Sequence, residues 1–420
     1  MRSITSALLI FALYTSNEAQ AMQLMPIKIN GLNKELEQEV RAVIALPGSN
    51  SKGLEISDGR LGYYTNSLKL LVEDSLEPHG YYHAQVQTNL VRNQQEAVIT
   101  IDIVLGEPVL VRQQNIKFEG PASNDRFMGF WLESFEPQIG DIFNHDIYET
   151  SKLDISQALL DRGYFDQDNT IHEVRVTRAE NSADINLVWD SGIRYRFGDV
   201  RFEGNFFEPG LIEQLVGFEK GRYYSQSQIF RLHESLSKLN YFSTIEIIPD
   251  LENKQGDQVP VLVNLTEGKQ NSYNTSLRYG TQTGAGVEFG MERRWINDKG
   301  HKLAFDVAWA QNEQSFLANY RIPAFAWLDG WYAFGIEARN EEYLSTPSRY
   351  IEAFANRSGE IRNWNLLGSI NIRRERFDEF IPDSNDAEPI DLYTTVLYPE
   401  FNAIWRSTTD LSFIQDGNAW

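Results

Sequence analysis

From the start of the chain to about residue 268 the apolar positions switch repeatedly between a period of 3.6 and a period of 2. Helical spacing covers 34–45, 61–76, 124–135, 146–161, 209–216 and 225–239. Alternating, strand-like spacing covers 26–29, 81–91, 98–105, 111–119, 172–177, 183–189, 244–250 and 259–266. Asn124 reads as an N-cap, and Ile147, Leu153, Ile155, Leu159 and Leu160 as the buried face of 146–161. Gly163 follows as a left-handed stop. From 269 onward the helical period disappears. Eight alternating segments remain, over 273–279, 287–292, 303–309, 316–322, 331–338, 350–356, 364–373 and 392–405.

The first part is repetitive. A helix runs into Gly80-Tyr81-Tyr82, Gly163-Tyr164-Phe165 and Asn240-Tyr241-Phe242, a recurrence about every 80 residues. A second rhyme opens the later copies, with Ile116-Lys117-Phe118-Glu119-Gly120 answered by Val200-Arg201-Phe202-Glu203-Gly204. Such a period is too long for a solenoid repeat and suits a tandem small domain of order strand, helix, helix, strand, strand. The linkage is weakest around 47–60, where Gly and Ser dominate.

In the second part each segment presents one apolar and one polar row. Leu303, Phe305, Val307 and Trp309 alternate with Lys302, Ala304, Asp306 and Ala308. A membrane barrel needs this pattern, lipid facing the apolar row and a wet lumen the other; a soluble sandwich alternates the same way. Tyr273, Tyr279, Trp295, Trp309, Trp331 and Trp364 fall near segment ends, as interfacial girdles do. The N-terminus supports the membrane reading. Arg2, the apolar run 7–14 and Ala19-Gln20-Ala21 make a secretory leader, too short to span a bilayer.

Composition removes several functions. The chain has 420 residues and a net charge of −21, which argues against nucleic acid as main partner. With no cysteine there are no disulfides, thiol nucleophiles, iron–sulfur clusters or zinc ribbons. The six histidines are scattered; His79 and His83 straddle a helix end at Pro78 and Gly80, so a shared metal is not expected. Asp166-Gln167-Asp168 lacks the Gly and Glu of a calcium loop, and no phosphate-binding glycine loop or nucleophile elbow occurs. No cofactor and no enzyme activity are expected.

The β-α-α-β-β repeat, its Gly/Asn–aromatic junctions and its F-E-G strand ends resemble POTRA domains. Three of them behind a leader and before a β-rich segment resemble the BamA/TamA superfamily, and within it the TamA family, the outer-membrane subunits of the translocation and assembly module. The expected architecture is α+β POTRA repeats followed by an antiparallel transmembrane β-barrel segment of about eight strands. Its boundaries are a leader 1–21, modules 22–106, 107–191 and 192–268, and a barrel segment 269–420. The resemblance implies an outer-membrane location with periplasmic modules, insertion of outer-membrane or autotransporter clients, and docking of a TamB-like partner on the first module.

It also implies two kinds of interface. The strand after the second helix is expected at a sheet edge, where Tyr81, Tyr82, His172, Val174, Val176, Ile245 and Ile247 are the candidates. The first barrel strand is expected to pair weakly with the last and form a lateral gate, with Tyr273, Asn274, Thr275, Ser276, Leu277, Arg278 and Tyr279 as candidates. Two features depart from the family. Its barrel has about sixteen strands, and its V-R-G-F/Y loop motif is absent here. An incomplete copy is therefore expected, with a self-closing eight-stranded barrel or pairing with a second copy as alternatives. A two-partner-secretion translocator, exporting its client through the lumen, is the alternative function; three modules and no plug helix weigh against it, and a passive pore leaves the modules without a task.

Overall fold

The computed structural model describes residues 21–46, 54–93, 95–325, 329–343, 346–361, 363–379 and 390–406. These form two compact units, one of Met1–Leu160 with Tyr164–Ile193 and one of Asp161–Gly163 with Arg194–Trp420.

The first unit holds two modules. The first comprises β1 (Ala21–Leu24), β2 (Lys28–Asn30), α1 (Lys34–Ile44), β3 (Leu54–Ser57), α2 (Asp58–Leu76), β4 (Gln85–Arg92) and β5 (Glu96–Val104). β5 is central, with β4 antiparallel on one side and β1 and β2 parallel on the other; β3 lies outside β1. Asn33 caps α1 by accepting from Leu36 N at 2.9 Å, and Leu36, Val40 and Ile44 turn inward at fourfold spacing. They meet Leu61, Leu68, Val72 and Leu76 of α2 and the inward row Ala97, Ile99, Ile101 and Ile103 of β5. β1 and β3 are too short to announce themselves by alternation; β3 and the start of α2 occupy part of the Gly/Ser-rich stretch expected to be loose. Of the predicted leader only Ala21 is described, opening β1 opposite Ser57.

The second module comprises β6 (Leu110–Glu119), α3 (Arg126–Glu133), α4 (His145–Asp161), β7 (Asp168–Thr177) and β8 (Ser182–Asp190). β8 is central between parallel β6 and antiparallel β7. Its core includes Phe118, Met128, Leu159, Leu187 and Trp189, whose indole N–H donates to Ser156 Oγ at 3.2 Å. The cap of α3 is Asp125, not Asn124, which closes a preceding 3-10 turn; Asp125 Oδ1 accepts from Phe127 N at 3.0 Å. The face of α4 is also rotated from expectation. Tyr148, Ile155, Ala158 and Leu159 are buried while Ile147 and Leu153 are exposed. Tyr148, packed edge-on to Phe135, is the larger anchor and sets the helix phase.

The second unit contains the third module: β9 (Arg196–Glu203), α5 (Gln226–Lys238), β10 (Phe242–Pro249) and β11 (Gln258–Glu267), with β11 central. The helix expected over 209–216 is reduced to a 3-10 turn at Glu213–Leu215, because Gly210, at φ +92°, breaks the run. The F-E-G ending has a steric cause. A Cβ on Gly204 would lie 2.1 Å from the carbonyl oxygen of Leu265 on the central strand, at a φ of +74°. Only glycine allows β9 to leave the sheet there.

The eight expected barrel strands are present: β12 (Asn271–Gly280), β13 (Gly284–Arg293), β14 (Lys302–Ala310), β15 (Glu313–Ala324), β16 (Asp329–Tyr343), β17 (Thr346–Ile361), β18 (Trp364–Glu379) and β19 (Ile390–Trp405). Each is antiparallel to the next, and among the described residues β12 and β19 are unclosed edges. Asp416-Gly417-Asn418-Ala419-Trp420, which by sequence reads as a turn and not as a terminal strand, lies outside the described residues.

Candidate functional site

Two kinds of exposed backbone edge stand out. β12 pairs with β13 from Asn271↔Arg293 to Gly280↔Gly284, and its other side has no strand among the described residues. Tyr273, Thr275, Leu277 and Tyr279 line one face; Leu277 is 84% and Tyr279 80% exposed. Asn274, Ser276 and Arg278 line the other, where Ser276 Oγ donates to Glu288 and Arg278 pairs with Glu288 and Glu313. All seven predicted gate residues therefore sit on one edge strand.

In the modules, β4, β7 and β10 are edges, each bonded among the described residues only to its central strand. His172, Val174 and Val176 lie in β7, and Ile245 and Ile247 in β10. Tyr81 and Tyr82 do not belong to an edge, because β4 starts only at Gln85. Tyr81 packs on the first core and Tyr82 on the second, its hydroxyl bonded to His145 Nε2 at 2.6 Å. The αL turn at Gly80 swings both rings into the joint between the modules before the strand begins.

The two faces of the barrel sheet differ in chemistry and curvature. One carries acid–base pairs: Arg321–Glu292 at 2.7 Å, Arg339–Glu341 at 2.8 Å and Arg373–Glu352 at 2.7 Å. Arg278 reaches Glu313 at 3.1 Å although their strands are three positions apart. On a flat sheet that is about 14 Å, beyond the combined reach of the two side chains, so this face is concave. The convex face carries the apolar row, including Phe289, Val307, Trp309, Phe334, Ile370 and Leu397, all exposed. A polar concave and an apolar convex face are the signature of an outer-membrane barrel wall.

The third module is fastened to this wall by a cluster that sequence reasoning missed. Lys302 is 2% exposed; its ammonium donates to the carbonyl of Leu239 at 2.5 Å, lies 4.9 Å from the Tyr241 ring and 5.2 Å from the Trp331 ring, and faces Glu292 at 3.9 Å. Tyr241 donates its hydroxyl to the carbonyl of Gly300, and burial pushes that hydroxyl's pKa up. Trp295 is 7% exposed among Phe206, Phe207 and Tyr241, so it belongs to this joint and not to a girdle. The sequence hint was the third Asn-Tyr-Phe junction; Lys302 looked like any lumen lysine.

Among the described residues no three metal-ligating side chains gather. The histidines have other neighbours: His79 meets Glu39, His83 the carbonyl of Arg178, and His301 the Tyr320 hydroxyl.

Comparison with known proteins agrees with this geometry. Residues 26–105 match the family profile described as POTRA domain TamA domain 1, and 195–268 the POTRA profile described as surface antigen variable number repeat. The outer membrane protein assembly factor BamA of Buchnera aphidicola is 21% identical over 305 residues, 69% of this chain and 47% of that protein. The chain thus spans about half the length of the curated relative it matches. The crystal structure of BamA from Haemophilus ducreyi lacking POTRA domains 1–3 superposes with a TM-score of 0.54 at 15% identity, over 71% of this chain and 59% of that one. That likeness concerns the fold. CdiB from Acinetobacter baumannii is also similar, at 11% identity and a TM-score of 0.36, over 72% of this chain and 59% of that one, too low to bear on function. The POTRA matches, the BamA relative and the amphipathic sheet support the BamA/TamA superfamily and an outer-membrane location with the POTRA modules on the periplasmic side.

Proposed function

We propose that the chain assembles outer-membrane proteins without enzymatic chemistry. β12 carries the reading: among the described residues it is an edge strand of a membrane wall, and N–H and C=O groups left unpaired there would face hydrocarbon, at several kcal/mol each. An extended client strand satisfies those groups, and burying its apolar face in lipid favours release sideways. β4, β7 and β10 offer the same chemistry in the periplasm, where clients travel unfolded. The finer assignment follows the TamA-type profile on the first module: this module docks a TamB-like partner, and autotransporters are among the clients.

The absence of native cysteine makes the test clean. Single cysteines placed from 273 to 279 are expected to cross-link to a cysteine on a stalled client strand with a periodicity of two. Uniform or absent cross-linking, with the chain membrane-inserted, overturns pairing at β12. Export of a soluble client without such cross-links would favour the lumen-translocation alternative.

A further inference from the structure

The outward half of β12 is tied to a strand it does not pair with. β12 leaves the third module, so its Asn271 end is periplasmic and its Gly280 end outward. The inner end is held by chain continuity and by Gln270, whose side-chain amide donates to the carbonyl of Trp295 at 2.9 Å. The outer end runs into a turn, and side chains must hold it. Its row on the concave face is Asn274, Ser276 and Arg278, opposite Gly290, Glu288 and Gly286 of β13. Arg278 therefore faces a glycine, and the residue beyond that glycine on β14 is Ala310. Side chains this small leave a groove across two strands. Arg278 crosses it, with one guanidinium nitrogen 2.8 Å from Glu288 and another 3.1 Å from Glu313 of β15. Ala310, on that path, is 2% exposed.

Glu313 opens β15 and is 6% exposed, its second carboxylate oxygen 3.9 Å from Arg339. A carboxylate this buried needs cations beside it, and Arg278 is the nearer of the two. Arg339 is already served by Glu341 at 2.8 Å and Glu337 at 3.1 Å. The neighbouring turn repeats the attachment: Asn312 donates to the carbonyl of Gln282, just past the end of β12, at 2.7 Å. Two contacts thus carry the outward end of β12 over β13 and dock it where β15 begins.

We propose that Glu313 is the positioning residue of the gate strand. Through Arg278 it holds the outward half of β12 in the curve of the wall, so an incoming client strand meets a template shaped along its whole length. Without it, β12 is fixed at the periplasmic end, and pairing stops short of Leu277 and Tyr279. The use of the strand as a template rests on the assembly reading above; the latch itself does not.

Hydrogen exchange on the full chain in detergent, without client, reads the latch directly. Glu313→Gln is expected to quicken exchange of the β12 amides at 276–280 about tenfold and to leave those at 272–275 unchanged. Arg278→Gln gives the same pattern from the other partner, and Arg278→Lys, which keeps charge without the planar fork, falls between. The fold tolerates Glu313→Gln because neither arginine is stranded: Arg278 retains Glu288 and Arg339 retains Glu341. Glu352→Gln is the control. That carboxylate is 8% exposed on the same face and serves Arg373 of β18 and Tyr398 of β19, so exchange at 276–280 stays as in the wild type. With a client stalled on the chain, Glu313→Gln is expected to lose cross-links from cysteines at 277 and 279 and to keep those at 273 and 275. Exchange at 276–280 unaltered by Glu313→Gln, or equally quickened by Glu352→Gln, overturns the proposal. So do cross-links at 277 and 279 that survive Glu313→Gln at full yield. Cross-links missing at all four positions without Glu313→Gln sink the assembly reading instead, and the exchange result still decides the latch.

Discussion

Gly80, Gly163 and Asn240 adopt φ values of +88°, +86° and +57°, so the residue that ends each second helix is chosen by backbone conformation. Gly80 offers its carbonyl to Val109 N and Gly163 offers its own to Tyr195 N, both at 2.8 Å. A Cβ on Gly163 would stand 2.7 Å from Tyr224 Cβ. Gly163→Ala is therefore expected to cost at least about 1–2 kcal/mol, seen as a lowered unfolding midpoint of the full chain, while Asn240→Gly stays near neutral. His145 gives the joint between the first two modules a pH dependence. Burial beside Phe143 and Tyr82 lowers its pKa, Asp146, Glu77 and Glu149 oppose that shift, and His79 adds to it. Its folded pKa lies below its unfolded value of about 6.5, so unprotonated His145 supports the fold above that pH. The support is lost as pH falls below about 6.5. Hydrogen exchange around residues 79–83 is expected to quicken on acidification, and His145→Gln to flatten the response. An unchanged slope in that variant would remove His145 as the cause.

Between elements, the junction of α5 and β10 with β14 depends on a buried cation. Glu292 serves two partners there, Lys302 at 3.9 Å and Arg321 at 2.7 Å. Removing it by Glu292→Ala strands both cations and is expected to cost about 2 kcal/mol or more. Lys302→Met strands only the carbonyl of Leu239 and should cost about 1 kcal/mol. Proteolysis between the third module and the sheet measures the order of the two; the reverse order would show that the ammonium, not its counter-ion, holds the joint. The F-E-G endings were readable because one glycine obeys a local rule. The failed helix at 209–216 was not, because its apolar spacing is helical and only Gly210 at positive φ decides against it.

At the scale of the whole molecule, period and repeat carried most of the architecture. Alternation is a property of each strand alone, so the eight strands and their two rows were legible before any pairing was known. The αL glycines and the tandem rhyme likewise located three modules, because steric demands on a turn recur with the sequence that meets them. Tertiary structure decided which strand edges stay open, that Tyr81 and Tyr82 fill a joint instead of an edge, and that Trp295 leaves the girdle for the floor of the barrel wall. It alone brought Lys302 to Tyr241 and Arg278 to Glu313. These outcomes depend on strand register and on contacts between segments far apart in the chain. A period within one segment carries no information about either.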